Sequence, residues 1–268
     1  MNTPRDILIY YSLISHGDLD KTLTLIRSHD PLPDAAEISR LVAPYRKRAV
    51  TVVDPEYPEW LSKIVRAPFV FFYKGDLSLL ENPDRIVAIT GSQHPEDVYP
   101  LTKTREIAAE ITEAGAVVLS GLSSGIQHVA LESALSKGPA IAVLTHGFNR
   151  VYPAESKGLQ AAVAAKGLAL TIYGDDEPPS PAKMRERNCF LGQAGKFLFV
   201  ASCRPQDGIL ISVALALKEG RDVGTLPCRA GEELINNGFI RDGAAVIENS
   251  SDLLFEMGLR DGGTRDGR

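Results

Sequence analysis

The chain has few cysteines and no long run of hydrophobic residues. Its 268 residues include three cysteines, Cys189, Cys203 and Cys228, none of which has CxxC spacing to another. The sequence therefore predicts neither a zinc site nor a disulfide framework, and isolated cysteines are typical of a reducing, cytoplasmic setting. The apolar stretch from Ile7 to Ile14 is far shorter than the ~20 residues that span a bilayer. We interpret it as the buried face of a helix and expect no membrane association.

An excess of positive charge is also absent. The formal net charge is -5, which argues against a surface that is basic throughout but not against a local basic patch. The glycine-rich loops match neither GxGxxG nor GxxxxGK[ST], and no spacing of His, Cys, Asp and Glu suggests a metal site. We therefore expect no metal and no cofactor.

Two patterns of secondary structure divide the sequence. Residues 1–50 contain three helical patterns, which end at Gly17, before Pro31 and at Pro44, and they predict a small all-helical module. From Arg85 onward, short β-branched runs alternate with helical patterns. Because these runs are apolar on both faces, they predict buried parallel strands. The repeated βα units predict an α/β fold with a doubly wound, mainly parallel sheet.

These patterns predict three segments. Residues 1–50 form the helical module, residues 51–258 form the α/β domain, and residues 259–268 form a Gly-rich, charged tail that we expect to be disordered.

Two loops rich in glycine and serine follow predicted strands. The first contains Gly91 and Ser92 after the strand RIVAIT. The second follows AVVLS and consists of Ser120, Gly121, Leu122, Ser123, Ser124 and Gly125. Because ligands of an open α/β sheet bind at the carboxyl ends of strands, and because helix N-termini favour anions, we interpret both loops as phosphate-binding. Alternatively, the glycines only permit tight turns and the serines only cap helices.

A basic cluster lies between two later strands, in the sequence KMRERNCF. It carries Lys183, Arg185 and Arg187, with Asn188 next to the last arginine. Guanidinium groups suit phosphate, although a basic run is more often a solvated face. Other candidates are weaker. His146 ends a strand but is a lone histidine, and the adjacent acids of residues 175–177 lie in a Pro-rich loop.

Seven segments resemble, in order, the motifs of the DprA/Smf DNA-processing family. They are YPEWLSKIVRAPFVFFYKGDLSLL, VAITGS, SGLSSGI, IAVLTHGFNRVYPAES, RERNCFLG, DGILISVALALKEGRDVGTLP and NGFIRDGA, from about Asp54 to Gly258. The resemblance implies an extended Rossmann-like domain that is not an enzyme and that binds single-stranded DNA. It also implies protection of incoming strands, assistance in loading the RecA recombinase during natural transformation, and a homodimer.

Four positions depart from the family pattern. Gln93 and Cys189 replace expected arginines, Gln127 replaces an acid, and Asp207 replaces a serine. Since each neutralised phosphate contributes about 0.7 to the salt slope of single-strand binding, the loss of two cations predicts weaker and less salt-dependent binding. Four further cations are candidates to compensate, namely Lys183, Arg185, Lys103 and Arg204.

Other functions stay open. A sensor that binds a nucleotide on the same fold is the main alternative, because fewer arginines suit a smaller anion. A phosphoribohydrolase-like enzyme is less favoured, because the Pro-Gly-Gly-x-Gly-Thr loop and a paired acid and base are absent from the sequence. A mainly structural role, with a degenerate cleft, is the third possibility. Phe148 and Tyr152 are candidates to stack on bases or, alternatively, to pack in the core.

Overall fold

The computed structural model describes residues 3–28 and 31–259. The predicted tail, apart from Leu259, lies outside the described residues. Three helices form near the N-terminus, as the sequence predicts: α1 (Pro4–Ile14), α2 (Leu19–Arg27) and α3 (Ala35–Val42). The Thr3 hydroxyl accepts a hydrogen bond from the Asp6 N–H, and the Asp6 carboxylate accepts one from the Thr3 N–H. This capping box explains why α1 begins where it does.

The rest of the described chain alternates between strands and helices. The strands are β1 (Ala49–Thr51), β2 (Val70–Gly75), β3 (Ile86–Thr90), β4 (Val117–Gly121), β5 (Ala140–Val143), β6 (Leu168–Thr171), β7 (Phe197–Val200), β8 (Asp222–Thr225) and β9 (Ala245–Val246). The helices are α4 (Glu59–Ser62), α5 (Tyr99–Glu113), α6 (Ile126–Leu135), α7 (Lys157–Lys166), α8 (Pro181–Leu191), α9 (Leu210–Lys218), α10 (Asn236–Arg241) and α11 (Ser250–Glu256). Three short 3-10 helices lie at Leu77–Leu80, Pro83–Arg85 and Ala154–Ser156.

All nine of these strands join one sheet in the order β1-β2-β6-β5-β4-β3-β7-β8-β9. The six pairings from β6 to β9 are parallel, whereas β1–β2 and β2–β6 are antiparallel. From β3 the chain winds outward through β4, β5 and β6, and then returns to the other side of β3 with β7. This confirms the predicted doubly wound, mainly parallel sheet, and it places the topological switch at β3, where such folds bind ligands.

Both faces of the sheet are covered, which explains the continuous apolar strands. In β3, Val87 and Ile89 point into one hydrophobic cluster, and Ile86 and Ala88 point into the other. This alternation follows from the two-residue period of a strand. The first cluster also contains Ile9 of α1, so the N-terminal helices pack on the same core as the sheet. The predicted boundary at residue 50 falls within β1, and the division into domains stays a prediction.

Candidate phosphate-binding site

The two predicted loops meet at the carboxyl edge of the sheet. Ile126, the first residue of α6, donates its N–H to the Ser92 carbonyl over 3.3 Å. Gly125 has a φ of 71°, and a Cβ there would collide with the carbonyl of Gln93. A side chain at position 125 is therefore excluded both by backbone conformation and by space. The structure thus brings the loop at residues 91–93 and the loop at residues 120–125 into contact.

The serine hydroxyls of these loops have different partners. Ser120 is fully buried and its hydroxyl donates to the Ile89 carbonyl over 2.6 Å. The Ser92 hydroxyl contacts the Asp207 carboxylate, and the Ser92 N–H donates to the Ser202 carbonyl over 3.0 Å. These groups are therefore engaged inside the protein. In addition, α5 begins seven residues after Ser92, so this loop does not open directly into a helix as the sequence suggested.

The second loop keeps free donors. No acceptor among residues 3–28 and 31–259 contacts the backbone N–H groups of Ser123, Ser124 or Gly125, which lead into the N-terminus of α6. Free N–H groups at that position are the usual donors to a bound anion. The Ser124 hydroxyl donates to the Glu155 carboxylate over 3.1 Å. Leu122 belongs to the core and only shapes the turn.

Arg187 of α8 is the cation that reaches this loop. Its Nη1 donates to the Ser123 hydroxyl over 2.8 Å, and its Nε and Nη2 donate to the Asn188 side-chain oxygen over 3.2 and 3.0 Å. Asn188 is itself held, because its Nδ2 donates to the Gly208 carbonyl over 3.1 Å. Three of the five guanidinium N–H groups are thus used, and two are left to donate to a ligand.

Arg187 carries its charge in an unusual setting. Its side chain is only 5% exposed, and no carboxylate of the described residues forms an ion pair with it. Burial lowers the pKa of Arg187 to about 10, so the guanidinium stays positive at neutral pH. Buried charges in proteins are normally paired, so the missing counter-charge points to an anionic ligand.

Gly121 and Gln127 complete the surroundings of the guanidinium. A Cβ on Gly121 would lie 2.5 Å from Gln127 Oε1 and 2.6 Å from Arg187 Nη1, so the absence of a side chain makes room for both. Gln127 donates from Nε2 to the Thr90 hydroxyl over 3.0 Å, while its buried Oε1 has no donor among the described residues. Because Gln127 is neutral, it leaves the Arg187 charge uncompensated, a consequence that sequence reasoning missed.

Comparison with known proteins identifies the family. The family model described as DNA recombination-mediator protein A matches residues 48–258. The chain belongs to this family. The DNA processing protein DprA of Streptococcus pneumoniae is 33% identical over 210 residues, covering 77% of this chain and 73% of that protein. The protein Smf of Synechocystis is 32% identical over 214 residues, and the match covers 78% of this chain but 54% of that protein, about half of its length. The resemblance seen in the sequence is therefore confirmed.

Solved structures of family members share the fold. The X-ray structure of DprA from Streptococcus pneumoniae has a TM-score of 0.78 and 28% sequence identity, and it covers 94% of this chain and 93% of that one. The structure of DNA processing protein A from Helicobacter pylori, which concerns its single-stranded DNA binding mode, has a TM-score of 0.70 and 26% identity. It covers 77% of this chain and 94% of that one. The extended Rossmann-like fold is thus confirmed, with the N-terminal helices included in the first match.

The basic cluster forms most of α8, an element that the sequence analysis did not predict. Lys183 and Arg187 are four residues apart and share a helix face, whereas Arg185 is exposed on another. Lys183 pairs with Glu177 over 2.8 Å. Arg185 makes no ion pair with any described residue. The three cations therefore differ: one is buried and unpaired, one is neutralised and one is free in solvent.

The other compensating cations are also paired. Lys103 lies 3.1 Å from Glu106, and Arg204 lies 3.3 Å from Glu96 and 3.8 Å from Asp207. Asp207, whose negative charge the sequence placed near the cleft, accepts hydrogen bonds from the Ser92 hydroxyl and the Arg204 N–H. Its carboxylate therefore links the loop that follows β3 to the loop that follows β7.

The aromatic and histidine candidates fall into the core or onto the surface. Phe148 is buried, with the Lys74 ammonium 4.7 Å from its ring centre, so the structure contradicts a stacking role and favours the packing alternative. Tyr152 is 39% exposed and is accessible to a base. His146 is fully buried, and burial lowers its pKa, so the ring is neutral at pH 7. Its Nδ1 donates to the Gly147 carbonyl over 3.0 Å.

No group of three or more His, Cys, Asp or Glu side chains in the described part of the chain is arranged to hold a metal ion. No helix within residues 3–28 and 31–259 is long and apolar enough to cross a bilayer.

Proposed function

We propose that this protein binds single-stranded DNA through its phosphates, without sequence preference, and acts in DNA processing during natural transformation. The observation that carries this proposal is Arg187, a buried guanidinium without a carboxylate partner among the described residues. It lies against the glycine-rich loop at the carboxyl edge of the sheet. Membership of the family and the binding mode of the Helicobacter pylori protein support DNA as the ligand.

In this proposal a phosphate supplies the negative charge that is missing beside Arg187. It accepts hydrogen bonds from the two unused N–H groups of Arg187 and from the free backbone N–H groups of Ser123, Ser124 and Gly125. Charge-assisted hydrogen bonds of a guanidinium to phosphate are among the stronger ones in proteins. Arg185 lies within two residues of Arg187 on the exposed side of α8 and adds a cation for a neighbouring phosphate. None of these contacts reads a base edge, so sequence selectivity is not expected.

The direct test is fluorescence anisotropy with a labelled oligo-dT at about 50 and 200 mM salt. The wild-type chain should bind, and binding should weaken at the higher salt. Arg187→Met should lower affinity about tenfold or more, since a hydrogen bond to a charged group contributes ~1.5–3 kcal/mol. Lys166→Gln, which removes an exposed cation at the far end of α7, is the matched control and should bind as the wild type does. Absence of salt-dependent binding by the wild type would refute the proposal.

A sensor of a mononucleotide is the second candidate, because a single phosphate is enough to pair with the buried charge of Arg187. Competition separates the two. Displacement of oligo-dT only at millimolar mononucleotide favours DNA, whereas a clear rise in melting temperature with a mononucleotide and none with oligo-dT favours the sensor.

The remaining family roles are part of the proposal. Protection of incoming strands is tested by nuclease digestion of bound oligonucleotide, and RecA loading by strand exchange on protein-coated DNA. For a homodimer, α9 offers an apolar stripe, with Leu210, Ala214 and Leu217 spaced on one face and Leu217 56% exposed. Leu217→Asp should shift a dimer to the monomer mass in light scattering if this stripe is the interface.

A further inference from the structure

Lys183 is prevented from acting as a free cation. Its ammonium donates to Glu177 Oε2 and to the Pro178 carbonyl, both over 2.8 Å. The same ammonium lies 4.5 Å from the centre of the Tyr173 ring. Lys183 is nevertheless one turn before Arg187 on the same face of α8, so it is a further cation close to the candidate site.

Glu177 is held from the other side by the N-terminal helices. Its Oε1 contacts Nδ1 of His16, which lies in the turn between α1 and α2. Burial by itself would raise the pKa of Glu177, but hydrogen bonds from Lys183 and His16 outweigh it and lower that pKa. The carboxylate is therefore ionised at neutral pH and cancels the charge of Lys183.

The turn that carries His16 packs directly against Tyr173, next to the Lys183–Glu177 pair. A Cβ on Gly17 would lie 2.5 Å from Cδ1 of Tyr173, so the Gly17 backbone touches the ring that also contacts Lys183. Arg48, which follows α3, forms a two-point ion pair with Asp175 in the same loop. The N-terminal helices thus cover the loop between β6 and α8 and keep the Lys183–Glu177 pair mostly buried.

We propose that the α1–α2 turn and Glu177 restrain Lys183, so that this cation joins the phosphate-binding site only when the turn moves away from the β6–α8 loop. The inference rests on the proposed function. A mostly buried pair is screened weakly by salt, whereas an exposed pair is screened and contributes little. Uncovering the pair therefore allows a DNA phosphate to replace Glu177 as the partner of Lys183. The N-terminal helices then act as an autoinhibitory element for DNA binding.

The test compares salt slopes of oligo-dT binding by fluorescence anisotropy. Glu177→Gln removes the restraint, and it should bind at least about threefold more tightly at low salt, with a slope steeper by about 0.7, the contribution of one more phosphate contact. The double variant Glu177→Gln, Lys183→Ala should lose this gain, because Lys183 carries it. His16→Ala should give a smaller gain in the same direction and no gain when Glu177 is already glutamine.

Asp176→Asn is the matched control. Asp176 is the neighbouring acid, and its side chain bonds to Asn149 over 3.1 Å but not to Lys183. The Asp176→Asn substitution removes one negative charge from the same loop, as Glu177→Gln does, and it should leave the salt slope of DNA binding unchanged. Melting temperatures confirm that each variant is folded.

The outcomes separate the two proposals. If the wild type binds and Arg187→Met binds about tenfold or more weakly, but Glu177→Gln has the wild-type slope, the restraint is refuted and the proposed function stands. A gain that survives in the double variant, or that Asp176→Asn reproduces, also refutes the restraint. If the wild type does not bind DNA at low salt, both are refuted.

Discussion

Replacing Arg187 by methionine should weaken DNA binding about tenfold or more at almost no cost in stability. Burial lowers the pKa of Arg187 from its ordinary value to about 10, and at ~1.36 kcal/mol per pKa unit this corresponds to about 3 kcal/mol against the charged form. The guanidinium donates to two acceptors, the Ser123 hydroxyl and the Asn188 side-chain oxygen, and at ~1.5–3 kcal/mol for each acceptor these hydrogen bonds offset a similar amount at the lower end of that range. Methionine keeps the apolar stem packed, so the free energy of unfolding should stay within about 1 kcal/mol of the wild type.

The sign of the pH effect follows from the same shift. Because the folded pKa of Arg187 lies below its unfolded value, the folded state disfavours the proton, and the penalty is present at all pH values below about 10. The penalty is relieved only as the pH rises above about 10, toward the ordinary pKa of arginine. At neutral pH the methionine variant is therefore compared with a wild type that bears the full cost.

Urea denaturation and melting with and without oligo-dT provide the assay. Bound DNA should raise the melting temperature of the wild type more than that of Arg187→Met at the same oligo-dT concentration. Arg48→Met is the matched control, because it removes an arginine that has a carboxylate partner, Asp175, and should cost ~1.5–3 kcal/mol. If Arg187→Met loses as much stability as Arg48→Met, Arg187 is a structural residue and the reasoning from its missing counter-charge is wrong.

Two further predictions concern Gly121 and His146. Gly121→Ala should lower the free energy of unfolding by ~1–3 kcal/mol and weaken DNA binding, because its Cβ would displace Arg187 and Gln127. The control is Gly158→Ala in α7, where a Cβ would have nothing within 4 Å, and it should raise the free energy of unfolding by ~0.5–1 kcal/mol. Thermal melts and anisotropy of both variants check this, and equal stability would contradict it. Burial lowers the pKa of His146 below its unfolded value, so stability should fall as the pH drops below about 6.5. Between pH 8 and pH 5, the free energy of unfolding measured with urea should fall less for His146→Gln than for the wild type. An identical fall would show that His146 is not the group responsible.

The sequence by itself determined the alternation of strands and helices and the position of the loops. In the segment Ile86–Thr90, the four consecutive apolar residues before Thr90 already implied a strand covered on both faces, because side chains alternate across a sheet. The order of seven short motifs identified the family, and the glycine at position 125 marked a turn that no other residue permits without strain. These features are local, so they can be read from neighbours in the chain.

Only the tertiary structure decided which cations are available. In the sequence KMRERNCF, nothing distinguishes Lys183 from Arg187 as a candidate cation. In the structure, Lys183 forms an ion pair with Glu177, whereas Arg187 forms none with any carboxylate of the described residues. His16 and Glu177 are 161 positions apart, and Arg187 and Ser123 are 64 apart. Whether a charge is paired depends on which side chains lie within a few ångströms of it in space, since electrostatic interactions weaken with distance and with exposure to water. The number of residues that separate two side chains in the sequence does not reveal how far apart they lie in space.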